Sequence, residues 1–177
     1  MRLLVIVSLL IFSNIVVAQK YTVEKSLVSF YSEATMEDIQ ATNKKAQSIL
    51  IKESGEVAFS IPIKDFEFDK KLMKEHFNEK YMETEKYPKS TFQGKITGYN
   101  SSISGEQKAE ATGKIMIHGI TKEITIPGTI EFINGKIIIK SKFIVKLEDY
   151  EVKIPQLLWQ NIAEEIEVSI EFTYKPI

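Results

Sequence analysis

The chain has 177 residues, 23 basic and 24 acidic side chains, a formal charge of −1, 44% hydrophobic residues and no cysteine. That length suits one domain with a full-sized core. Near-neutral charge excludes the broad electrostatic attraction a nucleic-acid binder needs, and the missing cysteines exclude disulfides, thiolate metal sites and cysteine nucleophiles.

Met1-Arg2, the apolar run that follows, the break at Ser13-Asn14 and the small residues before Gln19 predict a secretory leader cleaved after Ala18. The apolar stretch is shorter than the roughly 17–25 residues of a membrane helix. Residues 1–18 are therefore expected to be the leader and 19–177 a single exported domain. Its stability must come from its core, because no disulfide can help.

Strand periodicity then dominates. Candidate strands lie at 23–31, 46–52, 57–63, 90–98, 110–118, 123–132, 137–147 and 165–174. The last is the clearest: Ile166, Val168, Ile170, Phe172 and Tyr174 alternate with Glu165, Glu167, Ser169, Glu171 and Thr173. Asn134-Gly135 supplies the two positive-φ residues of a type I′ hairpin turn between the two strands that flank it. About eight one-face-apolar strands predict an all-β protein whose antiparallel sheet closes on itself as a barrel.

Three stretches depart from that pattern. Residues 35–43 read as a short turn. Asp69 reads as the cap of a helix over 70–82, with Leu72, Met73, His76, Phe77 and Tyr81 on one face. Pro155 suits the first residue of a helical turn carrying Leu157, Leu158 and Trp159. Helical pieces of this kind cap barrel mouths.

Little in the chain points to catalysis. Of the two histidines, His118 reads as a strand-end residue bonding local backbone and His76 as a packed residue on the helix face. Asp65, Glu67 and Asp69 lack the glycine and glutamate spacing of a calcium loop and read as a solvated strand end. Neither a His-Glu-x-x-His nor a Gly-x-Ser-x-Gly motif occurs. The expectation is a protein that is not an enzyme, with no metal and no cofactor. An interior of this size can be filled by side chains or can hold a ligand, and composition does not choose.

Three segments together resemble the YceI-like family of lipid-binding proteins. They are 66–94 (FEFDKKLMKEHFNEKYMETEKYPKSTFQG), with a helix followed by Tyr87-Pro88 and Phe92; 112–122 (TGKIMIHGITK); and 143–163 (FIVKLEDYEVKIPQLLWQNIA). The resemblance implies an eight-stranded lipocalin-like barrel, a periplasmic address and an elongated cavity for a polyisoprenoid chain, such as that of a quinone. It brings no catalytic set. The segment 33–46 departs from the plainer strand connection of relatives.

On that basis, alternation and helix phase point Phe59, Phe92, Ile117, Ile139, Phe143, Ile170 and Phe172 into the barrel wall. Met73, Phe77, Met82 and Trp159 are expected at its cap. The expected partners are a long-chain isoprenoid or other lipid and, transiently, a membrane, with no nucleic acid; self-association, including a dimer, is left open. The competing expectation is a structural or interaction module with a filled core.

Overall fold

The computed structural model describes residues 19–33, 38–154 and 163–177. The expected leader and the expected helical turn at Pro155, with Leu157, Leu158 and Trp159, fall outside the described residues.

The strands are β1 Lys20–Ser32, β2 Ile39–Asn43, β3 Gln47–Ile51, β4 Glu56–Pro62, β5 Glu67–Phe68, β6 Lys89–Thr97, β7 Gly105–Ile117, β8 Ile120–Ile133, β9 Lys136–Lys146 and β10 Glu165–Pro176. They form one antiparallel sheet in the order β10-β9-β8-β7-β6-β4-β3-β1-β2-β5, and β10 pairs back onto β1 to close it. Both β2 and β3 pair with β1, at its opposite ends, so they act as one interrupted strand. With the two-residue β5 set aside, eight strands close the barrel, as the alternation and the resemblance predict.

Residues 39–43 correct the sequence reading, for they are strand rather than turn. Only Ile39 and Ala41 are apolar in that pentapeptide, so its alternation is faint. The chain bends at its last residue, buried Asn43. The Asn43 amide donates to Pro62 O at 2.8 Å, and its Oδ1 accepts the Lys45 N–H at 2.8 Å. That local bond is an Asx turn, which lets the chain swing from β2 into β3 without orphaning a buried polar group.

Two hairpins use the positive-φ turn read from the sequence. Asn134 and Gly135 have φ of 50° and 75°, and His118 and Gly119 have 51° and 79°. A Cβ on Gly119 would also sit 2.5 Å from the Tyr87 ring, so glycine is needed there twice over.

The barrel is not uniform along its axis. At the end where β8 passes into β9, Leu50, Ile96, Ile130, Phe132, Ile137 and Tyr174 are buried and fill the interior. Phe59 stacks on its cross-strand partner Phe92 at 5.2 Å, and Phe172 meets Phe59 edge-on at 5.7 Å. Tyr174 hydroxyl lies 2.7 Å from Ser48 Oγ, and Ser48 donates to Ala58 O at 2.8 Å. Aromatic stacking and a satisfied polar pair thus close off this half.

The other half opens. The β8–β9 ladder runs from Ile133↔Lys136 only to Gly128↔Ser141. Beyond that point β8 stays paired with β7 as far as Ile120, and β9 with β10 as far as Lys146, so the wall forks. Pro127 sits at the fork, and its carbonyl accepts the Ser141 hydroxyl at 2.7 Å. A proline there removes the amide with which a continuing ladder would be built.

Candidate ligand cavity

The open half holds a cavity of about 420 Å³, lined almost wholly by apolar side chains. That volume lies within the range of about 300–1,000 Å³ usual for small-molecule sites. Its walls come from β1, β2, β4, β6, β7, β9 and β10, and its roof from the segment between β4 and β6.

The roof begins with a 3₁₀ turn at Ile63–Asp65 and the short β5, which pairs with β2. The helix α1, Lys71–His76, follows and gives way to a π-helical turn, Phe77–Tyr81. This corrects the sequence expectation of a regular helix over 70–82. The N-cap is Lys70 without a side-chain cap bond, so Asp69 does not cap it. Leu72, expected on the inner face, is instead 61% exposed, because it belongs to the first turn and faces away from the cavity. Met73, His76, Phe77, Tyr81 and Met82 do reach the cavity.

Four phenylalanines gather under this roof. Phe77 stacks on Phe30 at 5.4 Å and meets Phe66 at 5.6 Å and Phe68 at 5.0 Å, while Phe30 lies 5.3 Å from Phe66. They join the roof to β1 and β5 through apolar and ring–ring contacts alone.

Of the residues singled out from the sequence, Phe59, Met73, Phe77, Met82, Ile117, Phe143 and Ile170 line this cavity. Phe92, Ile139 and Phe172 do not. Alternation turned them inward correctly, but they lie beyond Phe59 in the packed half, around a gap of only about 50 Å³. Direction follows from alternation; depth depends on the register of the whole barrel. Trp159 lies outside the described residues. Phe30, Phe66, Phe68, Tyr150 and Val152 were not singled out, although all five line the cavity. Phe66 and Phe68 had a legible signal, since they alternate with Asp65, Glu67 and Asp69.

At the rim, His118 ties three segments together. It is 8% exposed. Its Nδ1 lies 3.1 Å from Tyr150 O and its Nε2 3.0 Å from Glu83 Oε2, and Tyr87 packs edge-on against the ring at 4.4 Å. Both ring nitrogens therefore face oxygen acceptors, so whichever nitrogen carries a proton has a partner to donate to. Lys122 pairs with Asp149 beside it and lies over the Tyr150 ring. These contacts pin the 3₁₀ turn Glu148–Tyr150 across the end of the fork. The sequence reading of His118 was right about its place at a strand end and wrong about its partners, which are distant in the chain.

Among the described residues no cluster of histidine, aspartate and glutamate could hold a metal ion. Asp65 sits in the 3₁₀ turn and pairs with Lys45 at 3.3 Å. Burial raises the phenol pKa of Tyr81, as it does that of Tyr150, where Asp149 adds to the effect. Both stay neutral hydrogen-bonding groups at ordinary pH.

An antiparallel barrel with one packed half and one apolar, roofed cavity defines a class of β-barrel proteins with an internal apolar cavity. The chain belongs to the YceI-like domain family, which matches residues 17–174. Its fold is similar to that of BcnA from Burkholderia cenocepacia, at 18% identity and a TM-score of 0.72 over 84% of this chain and 95% of that one. It is also similar to a polyisoprenoid-binding domain from Saccharophagus degradans implicated in plant cell wall breakdown. There the identity is 14% and the TM-score 0.76, over 89% of this chain and 98% of that one. The Campylobacter jejuni YceI protein aligns at 16% identity and a TM-score of 0.56, over 98% and 91% of the two chains. No curated protein matches the chain.

Proposed function

We propose that this protein binds a long apolar lipid of the isoprenoid type in the roofed cavity and carries or sequesters it in the periplasm. The observation that carries the proposal is the 420 Å³ cavity walled by aliphatic and aromatic side chains. Family membership supports it, as does the description of the Saccharophagus neighbour as polyisoprenoid-binding. No helix among the described residues is long and apolar enough to cross a membrane. The leader argued from the sequence supplies the route of export.

The physics suits a carrier. Each buried methylene is worth about 0.8 kcal/mol relative to water, so a long chain does not leave a bilayer for water unaided. Moving it from a bilayer into an equally apolar cavity is nearly neutral, which allows both loading and release. The fork between β8 and β9, with Phe143 and Val145 facing the cavity on one of its arms, gives the cavity a side that backbone pairing does not seal.

Phe143→Trp tests the placement. A larger ring at this wall should shorten the longest isoprenoid taken up from vesicles while leaving the fold intact. Unchanged length and affinity would show that the chain does not pass Phe143.

A further inference from the structure

We propose that this protein selects its lipid by length. It takes a short tail of about 15–17 carbons, three isoprene units, and Phe59 and Ile170 form the floor that sets the limit. This rests on the lipid-binding reading above and gives that lipid a size.

The volume fixes the scale. A cavity of about 150 Å³ takes one benzene, about 25 Å³ for each carbon. At that density the cavity of about 420 Å³ under the roof holds about 17 carbons. A tail of about forty carbons would need about 1,000 Å³, more than twice the room there is. Its surplus would have to lie outside in water, whereas a bilayer keeps all of it buried. A tail that is too short leaves wall atoms without partners.

The floor is a specific pair of side chains. Beyond the cavity lies the gap of about 50 Å³ in the packed half, and among the described residues only Phe59 and Ile170 border both spaces. Phe59 stands on β4 and Ile170 on β10, strands that do not pair with each other, so the two close the interior from different walls. The Phe59 ring is also held in place. It stacks on Phe92 at 5.2 Å and meets Phe172 edge-on at 5.7 Å. Phe172 in turn meets Tyr174 edge-on at 6.1 Å, and Phe92, Phe172 and Tyr174 are all buried. The gap behind Phe59 has about a third of the room that benzene takes, so the ring has nowhere to swing back.

The test offers the delipidated protein prenyl alcohols of two, three, four and six isoprene units, held in equal amounts in phosphatidylcholine vesicles. All four share one head, so only the tail separates them. The protein is recovered free of vesicles, and its extracted lipid is compared with what the vesicles retain. The three-unit alcohol should be enriched at least about tenfold over the four-unit one, whose surplus carbons would lie in water. Phe59→Ala removes the ring and joins the cavity to the gap, so the maximum should move to the four-unit alcohol. Phe59→Leu, a milder change that guards against loss of the fold, should reduce the tenfold preference to about threefold. Retained uptake of the three-unit alcohol is the check on folding, and the wild-type ratio decides the length even if neither variant folds. Equal enrichment of the three- and six-unit alcohols by the wild-type protein would overturn the inference and leave the lipid-binding reading standing. Folded Phe59 variants that keep the wild-type preference would overturn it too. If none of the four alcohols is taken up, the lipid-binding reading fails and takes this inference with it.

Discussion

At His118 a positive φ of 51° and two hydrogen bonds meet in one residue. The turn alone would favour asparagine, which tolerates this backbone region at least as well. Histidine is therefore explained by its partners, Tyr150 O and Glu83, which asparagine is too short to serve together. His118→Asn should destabilise the fold by about 1–3 kcal/mol, read as a lower denaturation midpoint at unchanged slope. A neutral result would mean that the rim does not depend on this residue. Tyr174 makes the second residue-scale case. Burial pushes its phenol pKa well above the ordinary value. The folded chain then holds that proton more tightly than the unfolded one, so stability is complete below about pH 10 and falls as the pH rises beyond it. Tyr174→Phe should flatten that alkaline fall while costing about 1 kcal/mol at neutral pH for the lost bond to Ser48. An alkaline profile identical to that of the wild type would place the effect on other tyrosines.

At the scale of elements, the sheet was legible almost throughout, and the roof was not. The strands 165–174 and 137–147 alternate so regularly that their inner faces follow directly. β10 and β9 do bury Ile166, Ile170, Tyr174, Ile137 and Val145. The pairing Gly94↔Gly113 was not legible. A Cβ at either position would strike backbone of the other strand at 2.3–2.4 Å, a constraint that exists only once β6 and β7 are aligned. The π turn was hidden for a related reason. Residues 70–82 satisfy an α-helical stripe, and the extra residue per turn belongs to the folded roof, where Phe77 packs against Phe30 and Phe66. The fork between β8 and β9 also escapes pattern reading, because alternation continues through residues 120–127 and 142–146 although their mutual pairing has stopped. Hydrogen exchange should expose it. Amides of 142–146 that point away from β10 should exchange much faster than those of 136–141 that bond β8, and equal protection would mean that the wall is closed.

Over the whole molecule, stability and capacity are divided between the two halves of one barrel. The packed half, with Leu50, Ile130, Ile137, Phe172 and Tyr174 at almost no exposure, can carry the folding free energy. That leaves the other half free to keep a space that costs packing contacts. A chain without cysteine can in this way keep an internal cavity and still fold. The division also explains why residues of identical pattern, Phe143 and Phe172, have different surroundings: one borders the cavity and the other the plug. The most direct test of the central claim is native mass spectrometry, with organic extraction, of the protein purified from the cells that make it. The account predicts one isoprenoid-type lipid per chain. A protein free of lipid, and still free after incubation with quinone-bearing vesicles, would contradict it.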